Sequence, residues 1–177
     1  MPTNQTWLCK KCHLPYDKIW VVGERDGVLQ RLIGLYKFER VISAHKTLGD
    51  LLLETLPDFP TNTIVLSIPT TPSRIRERGY DHMMLIAKYI AKKRGLKYKK
   101  LIIRKNNTKQ RQSNAKQRKL QAKNAFTVNG HIDSNIPYLI IDDVFTTGAT
   151  VKYAAKALRD SGARNVWIAV VARQTLR

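Results

Sequence analysis

The sequence predicts an α/β protein, a mostly parallel sheet flanked by helices, and three observations carry that expectation. Short apolar runs alternate with amphipathic ones along the 177 residues, a succession that suits parallel strands joined by crossover helices. At 43% hydrophobic, the chain can bury one proper core and is too short for two. The run YLIIDDVFTTGAT, residues 138–150, passes from a buried strand through two carboxylates into a threonine and glycine loop that opens a helix.

Taken in order, IWVV (19–22) reads as a short strand. GVLQRLIGLYKFER (27–40) is amphipathic, with Leu29, Leu32, Ile33 and Tyr36 on one face, and leaves Lys37 and Arg40 as a solvated helix face that adds positive charge. TIVLSI (63–68) is a buried-strand pattern stopped by Pro69. HMMLIAKYIAKKRG (82–95) puts Met83, Ile86, Ala87 and Ile90 at helical spacing, with Lys88, Lys92 and Lys93 outward and Gly95 as the stop. LII (101–103) reads as a strand, and the polar, basic stretch 105–123 as a mobile loop. YLII (138–141) is a strand, 151–162 a helix with Val151, Ala154, Ala155 and Leu158 inward, and VWIAVV (166–171) a strand.

No run approaches the roughly 20 apolar residues of a membrane span, and MPTNQTWLCKKC lacks the apolar stretch of a signal peptide, so a cytoplasmic location is expected. Cys9 and Cys12 alone make no disulfide framework, which fits a reducing compartment. The net charge is +19, and from His82 to Ile132 there are 15 Lys or Arg and no Asp or Glu. Something anionic is the expected partner, because solubility alone is usually served by mixed charges.

The loop after the strand at 138–141 lies at the carboxyl edge of the sheet, where open α/β folds bind ligands. Thr146, Thr147, Gly148, Ala149 and Thr150 would offer N–H groups and hydroxyls at the positive end of a helix dipole, which suits a phosphate. Asp142 and Asp143 would repel that phosphate unless the ligand also presents a vicinal diol or arrives with a divalent cation. The combination points to a ribose phosphate. No G-x-x-x-x-G-K-[ST] or G-x-G-x-x-G is present to suggest a nucleoside triphosphate or a dinucleotide. A second turn at the same edge carries Ser67, Thr70 and Thr71, followed by Arg74, Arg76 and Arg78. It reads either as a pyrophosphate loop, with Ser67, Thr70, Thr71, Arg74 and Arg78 as its contacts, or as an exposed helix start in which Glu77 pairs with an arginine.

The string 138–150 resembles the phosphoribosyl pyrophosphate motif of type I phosphoribosyltransferases, which implies 5-phosphoribosyl 1-pyrophosphate with Mg²⁺ as ligand. With CKKCHLPY, LYKFERVISAHKTLGDLL, SIPTTPSRIRERGYDHMMLIAKYIAKKRGL, the spaced Arg104, Thr108, Gln112 and Ser113, and Arg118 ahead of NAF, nearly the whole chain resembles the ComF/ComFC (competence protein F) family. The resemblance implies a type I phosphoribosyltransferase-like fold over 23–177, a role in uptake of transforming DNA in bacteria, and an N-terminal CxxC segment at 1–22 that partly matches the family's zinc-binding region. The chain lacks that region's second cysteine pair and has Gln121 where the family usually shows Asn. Cys9, Cys12 and His13 supply at most three of the four ligands a structural zinc wants, leaving an upstream pair, a decayed site, or His45, His82 or His131 to account for the rest.

As an enzyme, such a protein would displace pyrophosphate at the anomeric carbon, with Asp142 and Asp143 steadying positive charge on the ribose ring. Residues 104–123 occupy the position of the flexible hood in type I phosphoribosyltransferases, with Arg104, Lys109, Arg111, Gln112, Lys116, Arg118 and Lys119 as candidate contacts. The same loop reads alternatively as a tether for single-stranded DNA, in a non-catalytic module that holds DNA or a helicase partner. Tyr89, Tyr98 and Phe126 are the few aromatics nearby for base stacking.

Overall fold

A computed structural model describes residues 14–105 and 125–174. Cys9, Cys12 and His13, and the hood candidates Lys109, Arg111, Gln112, Lys116, Arg118 and Lys119, lie outside the described residues. The elements run β1 (Lys18–Glu24), α1 (Gly27–Phe38), α2 (Ala44–Thr55), β2 (Ile64–Ser67), α3 (Pro72–Arg78), α4 (His82–Lys93), β3 (Lys97–Tyr98), β4 (Ile102–Arg104), β5 (Phe126–Val128), β6 (Pro137–Phe145), α5 (Ala149–Asp160) and β7 (Asn165–Arg173). No helix among the described residues is long and apolar enough to cross a membrane.

Five strands form one parallel sheet in the order β1-β7-β6-β2-β3. The central strands are apolar on both faces, as a parallel sheet covered twice requires. Their alternating side chains divide the core in two. Leu66, Tyr138, Ile140, Ile168 and Val170 pack on the α5 side with Val151, Ala154 and Leu158. Val65, Leu139, Ile141, Ala169 and Val171 pack on the other side against Ile33, Leu48, Leu52, Met83, Ile86 and Ile90 of α1, α2 and α4. Fully burying each such side chain contributes about 1.5–3 kcal/mol, which fixes the register of β2 and β6.

β1 pairs with β7 from Lys18 to Glu24. Two features add to the sequence reading. Residues 44–55 form α2, whose Ala44, Leu48 and Leu52 recur every four positions on its buried face. The strand at 101–103 lies outside the main sheet, since β4 forms an antiparallel hairpin with β5 that packs against α5 through Ile102 and Phe126.

β2 and β6 are neighbours, yet the chain leaves β2 towards β3 through α3 and α4 and leaves β6 towards β7 through α5 on the opposite face. Such a reversal opens a crevice at the carboxyl ends of the two strands. Local signals shape its rim. Pro72 opens α3 with its φ already helical, Gly79 ends it at φ 86°, and Asp81 caps α4 by accepting from Met84 N at 3.2 Å.

Candidate functional site

The crevice holds a cleft of about 290 Å³ whose lining includes Thr70, Thr71, Arg74, Arg104, Asp142 and Thr150. Its two carboxylates are consecutive residues near the end of β6, and strand alternation sends them to opposite layers. Asp142 turns to the α5 side, where it also borders a small recess walled by Thr146, Gly148, Ala149 and Thr150. It is 7% exposed, and its Oδ1 accepts from Asp143 N at 2.9 Å. Burial, followed by the nearby Asp143 charge, pushes its carboxyl up to about 8.

Asp143 turns to the α1 and α4 side, where Oδ2 takes Lys37 Nζ at 2.6 Å and His82 Nε2 at 2.8 Å. Burial alone would raise this carboxyl. The His82 hydrogen bond and the Lys37 charge outweigh burial and hold it well below the ordinary carboxylate range. His82 is itself buried, and burial lowers its affinity for a proton despite the Asp143 bond. Arg78 Nη1, which can only donate, lies 2.9 Å from His82 Nδ1. Thr70 Oγ1 donates to Asp81 Oδ1 at 2.8 Å. Nε2–H therefore donates to the Asp143 carboxylate, while Nδ1 stands between Arg78 Nη1 and Thr70 Oγ1, the latter 3.1 Å away.

The 5′-phosphate candidates form a turn into α5. Gly148 sits at φ 71°, ψ 3°, and a Cβ there would lie 2.7 Å from Cε2 of the Phe145 ring. Only glycine reaches this conformation beside that ring without strain, and the helix start leaves the N–H groups of Thr150 and Val151 open to an anion. Thr147 does not border the cleft or the recess, and its Oγ1 accepts from Ala149 N at 3.4 Å.

The pyrophosphate candidates separate. Thr70, Thr71 and Arg74 line the cleft, whereas the Ser67 hydroxyl is 3.0 Å from Tyr98 Oη, and Arg78 is buried against His82 and the Phe38 ring. Neither Ser67 nor Arg78 is among the residues that line it. Arg104, read as a hood contact, stands in the cleft wall at the end of β4 with its guanidinium over Phe126, 4.8 Å from the ring centroid. Its buried Nε has no hydrogen-bond partner among the described residues, and Arg74 and Arg104 line the cleft as two cations that suit an added anion.

Two residues of the site were not read as such. Lys37, expected on a solvated helix face, is 14% exposed and committed to Asp143. His82, weighed above as a completing zinc ligand, is committed to the same carboxylate. No group of three or more His, Cys, Asp or Glu that could hold a metal occurs among the described residues. The stop-start pattern Gly79-Tyr80-Asp81-His82, a helix end followed at once by a capped helix, is the signal that puts His82 at the sheet edge.

Among solved structures, the fold is similar to that of the allosteric regulatory enzyme of purine biosynthesis, with a TM-score of 0.53 and 19% identity. That match covers 72% of this chain and only 25% of the other. It is also similar to adenine phosphoribosyltransferase from Leishmania tarentolae, with a TM-score of 0.50 and 17% identity over 92% of this chain and 94% of that one. The fold is that of the type I phosphoribosyltransferases. No family model matches the chain. In sequence it is 25% identical over 171 residues to competence protein ComFC of Streptococcus pneumoniae, covering 94% of this chain and 75% of the relative. It is 27% identical over 176 residues to competence protein F of Haemophilus influenzae, covering 93% and 76%. It is also 25% identical over 179 residues to competence protein ComFC of Bacillus subtilis, covering 91% of this chain and 70% of the relative.

Proposed function

We propose that the chain binds 5-phosphoribosyl 1-pyrophosphate and serves DNA uptake in bacterial competence; the relatives it resembles are named as competence proteins. One observation carries the ligand: the recess of the glycine turn and the cleft of Thr70, Thr71, Arg74 and Arg104 adjoin and share Asp142, Thr146 and Thr150 as walls. In this reading the turn at 146–150 takes the 5′-phosphate, Asp142 accepts from the ribose hydroxyls, and Thr70, Thr71, Arg74 and Arg104 meet the pyrophosphate. An acceptor attacking the anomeric carbon would form the new bond as the bond to pyrophosphate breaks, and the carboxylates would steady the charge on the ring. Among the described residues no side-chain group builds a site for Mg²⁺ on its own, so in this reading the ion would come with the diphosphate. Calorimetry with phosphoribosyl pyrophosphate and Mg²⁺, beside a titration lacking the metal, is expected to give saturable binding. A flat trace at millimolar ligand removes the reading.

The charge favours a second role in holding single-stranded DNA, directly or beside a helicase partner. Lys88, Lys92, Lys93, Lys97, Lys99 and Lys100 are all exposed along α4 and the strand that follows. Single-strand affinity should then fall with salt by about 0.7 log units per log unit for each phosphate contacted. Replacing Lys109, Arg111, Lys116, Arg118 and Lys119 by Gln should flatten that slope by roughly 2–3. A hood used only for catalysis would leave the slope unchanged and slow turnover instead.

A further inference from the structure

The two carboxylates of the cleft are served unequally. Oδ2 of Asp143 already receives two donors, Lys37 Nζ at 2.6 Å and His82 Nε2 at 2.8 Å, with both partners of the ion pair largely shielded from solvent. Asp142 receives one backbone N–H and otherwise faces the cleft. The pair is held from behind. Tyr36, next to Lys37 in the last turn of α1, donates its buried hydroxyl to the carbonyl of His82 at 2.6 Å, which ties the end of α1 to the start of α4. Lys37 is thus delivered to Asp143 by a packed contact between two helices rather than by a free side chain.

We propose that Lys37 is a built-in counter-ion of the sugar subsite: its ammonium stands at Asp143 where a divalent cation would otherwise stand, so the ribose-phosphate half of the ligand binds without metal and only the diphosphate half calls for it. The inference rests on the reading of the cleft as a ribose-phosphate site. The charges support it, since Asp142 and Asp143 are met by Lys37, Arg74 and Arg104, a surplus of cations around the cleft before any metal enters. So does the donor set, because no cluster among the described residues offers a metal three acidic, histidine or cysteine ligands. A vicinal diol suits the arrangement: it needs a hydrogen-bond acceptor, which Asp142 supplies, and a neutralised neighbour, which Asp143 has become through Lys37.

The test titrates ribose 5-phosphate into the parent protein, Lys37→Met and Lys37→Arg, each once in EDTA and once in Mg²⁺. Methionine keeps the length and apolar stem of lysine, and circular dichroism with thermal melts confirms the fold. The parent is expected to bind equally in both buffers. Lys37→Met should lose about tenfold or more in EDTA and recover most of it in Mg²⁺, whose charge replaces the lysine, while Lys37→Arg stays close to the parent. Parent binding that requires Mg²⁺ overturns the counter-ion and leaves the cleft assignment standing. Lys37→Met binding like the parent in EDTA overturns it as well, and so does a loss that Mg²⁺ fails to restore, which would mark Lys37 as a packing residue. No binding by the parent in either buffer removes the ribose-phosphate reading itself.

Discussion

Gly148→Val is expected to abolish ribose 5-phosphate binding, a loss of about a hundredfold or more, while inorganic pyrophosphate binds within about twofold of the parent. The glycine holds φ 71°, a region a β-branched residue avoids at a cost of roughly 1–3 kcal/mol. Its added carbons would collide with the Phe145 ring. Relief by either backbone or ring movement displaces the turn whose N–H groups meet the phosphate. The pyrophosphate side, on Thr70, Thr71 and Arg74, stands on a different strand end and is untouched. Should ribose 5-phosphate bind normally and pyrophosphate alone be lost, the two loops have been assigned in reverse.

The second large effect is expected from Asp142→Asn with Asp143→Asn, which keeps the shape and removes the charge of Asp143 and the ionisable carboxyl of Asp142. Affinity for phosphoribosyl pyrophosphate should fall at least about tenfold, or about 1.4 kcal/mol, in a protein that still folds, because the apolar part of β6 sets the fold. Unchanged affinity in the folded double mutant would sink the carboxylate assignment. The singles should separate in stability. Asp142 is raised from 3.8 to about 8, so the folded state holds its proton more tightly than the unfolded one, and stability is lost as pH rises across that window. Asp142→Asn should therefore melt no lower than the parent at pH 8. Asp143 is shifted the opposite way, so its contribution is present above the ordinary carboxylate range and fades only in acid. Asp143→Asn should melt below the parent at the same pH, since Lys37 and His82 lose the negative charge they share. The reverse order in thermal melts would show that the two carboxylates are not divided as described.

Much of the frame was legible because burial writes itself into periodicity. The inward set Val151, Ala154, Ala155 and Leu158 of α5, and Met83, Ile86, Ala87 and Ile90 of α4, are the residues that meet the sheet. The phosphate turn was legible for a local reason, since strand, acid pair, glycine and helix are contiguous. What stayed hidden depends on contacts across the chain. Nothing near Lys37 announces a carboxylate more than a hundred residues away, and a lysine on an amphipathic helix is ordinarily solvated. Arg78 shows the converse. Its neighbours Arg74 and Arg76 suggested a phosphate cluster, but one turn of helix after Arg74 carries Arg78 inward to His82. The separation of β4 and β5 from the main sheet was equally unreadable, because three apolar residues do not say which edge they join.

The Asp142 and Asp143 pair owes its division of labour to parity. Their side chains are identical and their environments differ because one falls on an odd and the other on an even position of the strand. A substitution edits one letter of this site, but a one-residue insertion or deletion between Pro137 and Asp142 would invert the alternation, sending the carboxylate meant for Lys37 towards the phosphate turn and its neighbour towards Lys37. The strand therefore counts as well as spells. Drift among relatives should be tolerant of which apolar residues fill β6 and intolerant of how many there are.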